Sequence, residues 1–278
     1  MTHRTGLAAA LAAALGVLAV APPAPAQAVK VADKNLEAAL RDVLKLDAKA
    51  PLTEKEMQNV FILEAPGKKV ASLAGLEKCP NLSLLNISNN QVADLSPLKG
   101  LKRLQSLDLP NNKVADLSPL KDCPALQRLE VSNNQVSDLK PLSGLTNLAS
   151  LFVAGNKVKD LSPLTGLAKL AYLDAERNQV SDLKPLEKVN HLMILKLGEN
   201  QIKDVTPLTK QTELLLLTLQ KNQITDLAPL VKWAKADADK EKRFAPYLRL
   251  YLAGNPLSDT ARKEQLPALK AMGVRVME

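Results

Sequence analysis

The sequence predicts an α/β solenoid: short similar coils, each contributing one strand, closed at both ends by helical segments. Three observations carry this. Asn90, Asn112, Asn134, Asn156, Asn178, Asn200 and Asn222 recur every 22 residues without a slip. Each follows a Leu by five positions and an apolar residue by three, as in Leu85/Ile87, Leu107/Leu109 and Leu173/Ala175. Each precedes a proline in the series Pro97, Pro119, Pro141, Pro163, Pro185, Pro207 and Pro229. An eighth copy, Leu250/Leu252/Asn255, follows after an 11-residue insertion.

Residues 1–28 read as an export signal. His3 and Arg4 give a short polar start, Gly6 to Ala21 is an apolar run, and Ala26-Gln27-Ala28 forms a small-residue cleavage site. The run is 16 residues long, short of the roughly 20 that span a bilayer. No Cys directly follows it as a lipid attachment point. The expected product is therefore exported, periplasmic or at the cell surface, and without a membrane span.

Residues 29–60 are expected to form a helical N-terminal cap. From Asp33 to Leu46, Leu36, Leu40, Val43 and Leu44 fall on one helical face. Thr53 with Glu56 spells a capping box for a second short helix. Residues 61–257 hold the repeats, one degenerate plus eight. In the degenerate coil Leu63, Ala65, Val70, Leu73 and Leu76 match the apolar columns, but Lys68 replaces the asparagine.

Within a copy, Leu85-x-Ile87 alternates with period two and reads as a strand with both side chains on one face. The proline forbids a long α-helix on the return, which leaves a 3₁₀ turn or extended coil. Asp94, repeated through Asp226 and again at Asp259, is placed to cap that turn. An asparagine carries both donor and acceptor groups. Stacked in register, the asparagines are expected to form a ladder, each serving the loop of its own copy and the next. The plainer alternative is that they are turn formers only. A single coil buries too little to offset the entropy of ordering it, so the coils must stack and the ends must be covered.

The insertion, residues 234–246, carries Lys235, Asp237, Asp239, Lys240, Glu241, Lys242 and Arg243. It reads as a solvated helix or loop on the side away from the strands, with Trp233 in the inward slot also held by Leu101. Residues 258–278 form a C-terminal cap: Ala261 to Met272 looks helical despite Pro267, and Val274-Arg275-Val276 suggests a last strand.

Two cysteines in an exported chain invite a disulfide. Cys79 and Cys123 share the apolar slot of Leu101, Leu145, Leu167 and Val189, two repeats apart. That is about 10 Å at a strand spacing of ~4.8 Å, beyond the ~7 Å a bridge spans. Two free buried thiols are expected.

The net charge is +8, and +7 once the signal with its single Arg4 is removed. The lysines are scattered and aromatics are few, so nothing points to nucleic acid. His191 is the only histidine beyond the signal and sits in a turn column with Asn81, Arg103 and Lys169, which makes it a surface residue. There is no nucleophile elbow, glycine-rich phosphate loop or zinc spacing. No catalytic residue, cofactor or metal is expected.

The pattern Leu-x-x-Leu-x-Leu-x-x-Asn-x-Val at a 22-residue period resembles the leucine-rich repeats. The Asp-Leu-x-Pro-Leu tail is similar to the bacterial internalin-like class. Val31 to Leu76 looks like the helical cap of that class, and Ala253-Gly254-Asn255-Pro256-Leu257 resembles C-terminal repeats of bacterial leucine-rich proteins. The resemblance implies a horseshoe with a concave parallel β-sheet, convex 3₁₀ or irregular turns, and protein–protein binding. The immunoglobulin-like domain and wall-sorting tail usual in internalins do not follow before Glu278, so host invasion is not expected to carry over.

On such a horseshoe, side chains between the core leucines point out of the concave face. The middle outward column runs Glu64, Asn86, Asp108, Glu130, Phe152, Asp174, Lys196, Thr218, Tyr251. The preceding column includes Arg128, Tyr172 and Arg249, and the following one Ser88, Ser132, Glu176 and Gln220. Asp108, Glu130, Asp174 and Glu176 surround the aromatics Phe152 and Tyr172, with Arg128 and Lys196 beside them. An exposed aromatic pair ringed by charge fits a binding hot spot. The partner expected is a protein carrying positive charge. Two further readings stand beside this one: a sheet face that binds nothing, and polyanion binding through Lys99, Lys102, Arg103, Lys121 and Lys188 on the convex side.

Overall fold

The computed structural model describes residues 28–240 and 246–278. The expected signal therefore lies outside the described residues apart from Ala28, as do Glu241, Lys242 and Arg243 of the insertion. Ten three-residue strands form one parallel sheet in strict chain order. They are β1 Ile62–Glu64, β2 Leu84–Asn86, β3 Ser106–Asp108, β4 Arg128–Glu130, β5 Ser150–Phe152, β6 Tyr172–Asp174, β7 Ile194–Lys196, β8 Leu216–Thr218, β9 Arg249–Tyr251 and β10 Arg275–Met277. The register is invariant: Leu63, Leu85, Leu107, Leu129, Leu151, Leu173, Leu195, Leu217 and Leu250 stack position on position. All are fully buried in one continuous core. Their neighbours on each strand project to the opposite face.

Short 3₁₀ turns at Ser96–Leu98, Ser118–Asp122, Lys140–Leu142, Ser162–Leu164, Lys184–Lys188 and Thr206–Lys210 form the return side. Each has its proline in the first turn, where a missing N–H costs nothing. The recurring aspartate accepts from the N–H two residues on, at 2.8 Å for Asp94, Asp116, Asp138 and Asp160. This tie initiates each turn as expected.

The asparagine ladder exists, but it reaches backward. Asn156 Nδ2 donates to the carbonyls of Val153 and Ala154 in its own coil and of Val131 in the preceding one, while its Oδ1 accepts from Val136 N at 2.9 Å. The same set recurs at Asn112, Asn134, Asn178, Asn200 and Asn222. The expected tie to the next copy is therefore reversed. The side chain is carried at the far end of the strand, where the preceding coil's loop lies beneath it. In the degenerate coil Lys68 breaks the series, yet Asn90 still serves Val70 N.

Helix α1, Lys34–Leu44, buries Leu36, Ala39 and Leu40 against the core. Val43, in the last turn of the same stripe, is 41% exposed. Asp33 caps α1 through Asn35 N and Leu36 N and also accepts from Ala71 N and Ser72 N of the first coil. Helix α2, Glu54–Met57, has both bonds of the capping box between Thr53 and Glu56.

Helix α3, Ala228–Ala238, starts before the insertion and replaces a 3₁₀ turn. Trp233 is inward as expected, 6% exposed, with its indole N–H donating to the Gln211 carbonyl at 2.7 Å. Asp237 is not solvated: it is buried on the same side of α3 as Trp233 and Ala234, one turn further along from Trp233. Gln211 departs from the apolar character of its slot. It is fully buried, and its Nε2 donates to the Leu186 carbonyl. After β9, a π-turn Ala261–Gln265 runs into α4, Leu266–Ala271, with Pro267 in the first turn of α4.

Cys79 and Cys123 are free and buried. Burial pushes the Cys79 thiol up to about 12 and raises that of Cys123 as well. Among the described residues no helix is long and apolar enough to cross a membrane.

Candidate functional site

The strands bring all eight expected residues onto one outward face, across β3 to β7 and the loop after β6. The seven on strands each stand beside a buried leucine of their own strand, so the core fixes their direction. Asp108 and Glu130 are register partners on β3 and β4, Glu130 and Phe152 on β4 and β5, and Asp174 and Lys196 on β6 and β7.

The side chains join into a continuous string. Arg128 Nε donates to Asp108 Oδ1 at 3.0 Å, and Glu130 Oε2 lies 4.0 Å from the same guanidinium. The guanidinium sits 4.3 Å over the Phe152 ring. Phe152 packs on Tyr172 with centroids 4.5 Å apart. Lys196 lies 5.8 Å from the Tyr172 centroid and 3.3 Å from Asp174 Oδ2. Glu176 Oε1 accepts from Thr218 Oγ1 at 2.6 Å and Gln220 Nε2 at 2.8 Å.

The aromatic pair is therefore less open than the sequence suggests. Both rings are half-buried, each with a cation over it, and three of the four carboxylates already share these two cations. The reason is register: Arg128 is diagonal to Asp108 on the neighbouring strand and Lys196 is directly opposite Asp174, both within reach of long side chains. What remains is an acidic surplus. Burial raises the Glu130 carboxyl pKa against the pull of the Ser132 bonds and Arg128. Burial also raises that of Asp174 against the Glu176 N–H and Lys196. Burial alone would lower Lys196, but Tyr172 and Asp174 outweigh it and hold it above its ordinary value.

Thr218 and Gln220 stand in the outward columns, yet their tie to Glu176 skips a whole repeat. The intervening residue is Gly198, where a Cβ would collide with the Gln220 amide. A second skip lies alongside: Arg177 Nη2 donates to Asn133 Oδ1 at 3.1 Å past Gly155, whose Cβ would meet that same oxygen. A glycine between polar residues one repeat to either side is the sequence signal for both.

Lys99, Lys102, Arg103, Lys121 and Lys188 are exposed on the return side. His191 is exposed, with Nδ1 3.3 Å from Glu213 of the next coil. Among the described residues no three His, Cys, Asp or Glu are grouped to hold a metal ion.

The family described as "Leucine Rich repeats (2 copies)" matches residues 80–122, 102–144 and 124–166. No curated protein matches the chain by sequence. Among solved structures, an internalin (InlF) from Listeria monocytogenes is 30% identical, with 88% of this chain and 75% of that one covered and a TM-score of 0.77. Internalin C2 from the same organism is 31% identical, covering 71% of this chain and 88% of that one, with a TM-score of 0.66. A leucine-rich repeat protein from Leptospira interrogans shares the fold at 19% identity, covering 75% of this chain and 57% of that one, with a TM-score of 0.63.

Proposed function

The chain belongs to the internalin-like leucine-rich repeat proteins, and from that premise we propose that it is an exported, non-catalytic protein that docks another protein on its concave sheet. Leucine-rich repeat folds are typical protein-interaction modules. The observation that carries the reading here is the string Asp108–Arg128–Phe152–Tyr172–Lys196–Asp174. Its side chains are preset by stacking and ion pairing, so a partner meets an ordered surface and little side-chain freedom is lost on contact. Half-buried aromatics flanked by Arg fit the composition of interface hot spots. The surplus of acidic groups, Glu130 and Glu176 foremost, favours a partner with a basic patch.

A solid reaction centre would need an enclosed pocket with converging groups. This face is open, and its polar side chains are largely spent on one another. Export rests on the pattern of residues 1–28.

The test is affinity capture from the native envelope by the immobilised chain, followed by crosslinking and mass spectrometry. Capture is expected to fall sharply with Glu130→Lys/Asp174→Lys and with Phe152→Ala/Tyr172→Ala. Retention of the captured protein by both variants refutes the concave reading. Capture of anionic polymer that is released by salt and lost with Lys99→Glu/Lys121→Glu would favour the polyanion alternative, since screening weakens exposed charge contacts.

A further inference from the structure

Four cations project from the ten strands: Arg128, Lys196, Arg249 and Arg275. The first two hold carboxylates at 3.0 and 3.3 Å. The last two hold none among the described residues, although both are exposed. They are register partners on β9 and β10, roughly 4.8 Å apart along the backbone ladder. Like charges set directly opposite on neighbouring strands destabilise a sheet, and among the described residues no acidic side chain offsets this pair.

Beside them lies an open depression of about 440 Å³ walled by Ile194, Leu215, Leu216 and Tyr247 together with the two arginines. Leu215 is 40% exposed and Tyr247 61%, so large apolar groups face solvent next to unpaired guanidiniums. The complement of that surface is a carboxylate adjoining a bulky apolar side chain. A guanidinium fork receives a carboxylate through two parallel hydrogen bonds, and the apolar wall gains only if a hydrophobic group covers it. A nucleic acid or anionic polysaccharide would use the arginines and leave the wall wet.

We infer that the C-terminal end of the concave face is a subsite for an acidic–apolar protein segment. Arg249 and Arg275 receive its carboxylate, and its apolar side chain fills the depression lined by Leu215, Leu216 and Tyr247. This rests on the concave face being the docking surface, and it adds a polarity. The acidic middle of the arc and its basic end would contact oppositely charged parts of one partner.

Panning a display library of randomised dodecapeptides on the full chain tests this. Enrichment of Asp or Glu beside Leu, Ile or Phe is expected. Arg249→Glu/Arg275→Glu should weaken the selected peptides by about tenfold or more, while Lys99→Glu/Lys121→Glu on the return side leaves them within about twofold. If the glutamate pair does not fold, Arg249→Gln/Arg275→Gln gives the same readout. Peptides without acidic residues, or peptides indifferent to the arginine variants, overturn the subsite. Peptides lost only with Glu130→Lys/Asp174→Lys overturn it while sparing the concave reading. Peptides indifferent to both concave sets overturn both. Arginine-dependent binding of inorganic polyphosphate with no acidic–apolar enrichment also overturns it, in favour of a polyanion.

Discussion

At the scale of single residues, the asparagine column separates two physical roles that look alike in sequence. If Asn156 were only a turn former, Asn156→Gly would keep the backbone freedom and cost little. In the structure its Oδ1 is the partner of the Val136 N–H in a buried setting. Asn156→Gly should therefore cost about 2–3 kcal/mol, the penalty of a buried unsatisfied donor. Urea unfolding of the two proteins measures it. The residue just before each asparagine shows what periodic reading missed. Asn89, Asn111, Asn133, Gly155, Arg177, Glu199, Lys221 and Gly254 are all left-handed, with φ from 52° to 76°. Asn and Gly suit that conformation, whereas Arg, Glu and Lys are strained in it. Glu199→Asn is expected to stabilise by roughly 0.5–1 kcal/mol, seen as a higher thermal midpoint. The ion pair it gives up, Lys221–Glu199 at 3.4 Å, is largely exposed and contributes little. The signal was present in the recurring Asn-Asn and Gly-Asn steps. It was obscured because the three departures carry ordinary surface side chains.

At the scale of elements, α1 is held by one carboxylate used twice. Asp33 Oδ1 caps the helix, and Oδ2 binds Ala71 N at 2.7 Å and Ser72 N at 3.1 Å in the first coil. Burial works to raise its pKa, but the four backbone N–H groups outweigh burial and hold it below 3.8. A lowered carboxylate contributes stability that is present above its unfolded pKa and lost as pH falls through the folded one. The amides of Leu36 and Ala71 should accordingly titrate together in NMR spectra, with one midpoint below 3.8. Separate midpoints would mean that the two ties are independent. Asp33→Ala should cost about 1–2 kcal/mol and raise hydrogen exchange in Lys34–Leu44 before the repeats. The helix itself was legible from Leu36 and Leu40. The tether was not, because Asp33 and Ala71 are 38 residues apart and no periodicity links them. The concave string divides the same way. Register alone places Phe152, Tyr172 and the acidic residues on one face. That Arg128 lies over Phe152 depends on a long side chain choosing a diagonal neighbour, which column order does not reveal. Asp174 opposite Lys196 was readable from adjacent copies of one column, and it reduces the acidity that the carboxylates alone suggest.

At the scale of the whole molecule, the repeat makes a quantitative demand. Apart from the side-chain ties of Glu176 and Arg177 that skip one repeat, each coil packs on its neighbours, so stability is approximately a sum of coil and interface terms. The strand order from β1 to β10 was legible because each coil repeats one translation of the last. The ends were less so: α3, the π-turn and buried Gln211 occur where the columns lapse and local packing decides. Excising one full period, Gln91–Asn112, joins Asn90 to Lys113 in phase. Leu85 then stacks on Leu129 as it now does on Leu107, and Asn134 inherits the contacts of Asn112. That variant should unfold cooperatively at a modestly lower midpoint, with the contacts among Arg128, Phe152, Tyr172 and Lys196 intact and only the Asp108 pair lost. Excising half a period, Gln91–Leu101, removes fewer residues but leaves the next strand without its return turn. It brings Ser106–Asp108 into the space of a loop and should abolish the cooperative transition. Circular dichroism melts of the two deletions decide the matter. If the half-period deletion melts as well as the full one, the coils are not the unit of folding, and the argument from the 22-residue spacing fails with them.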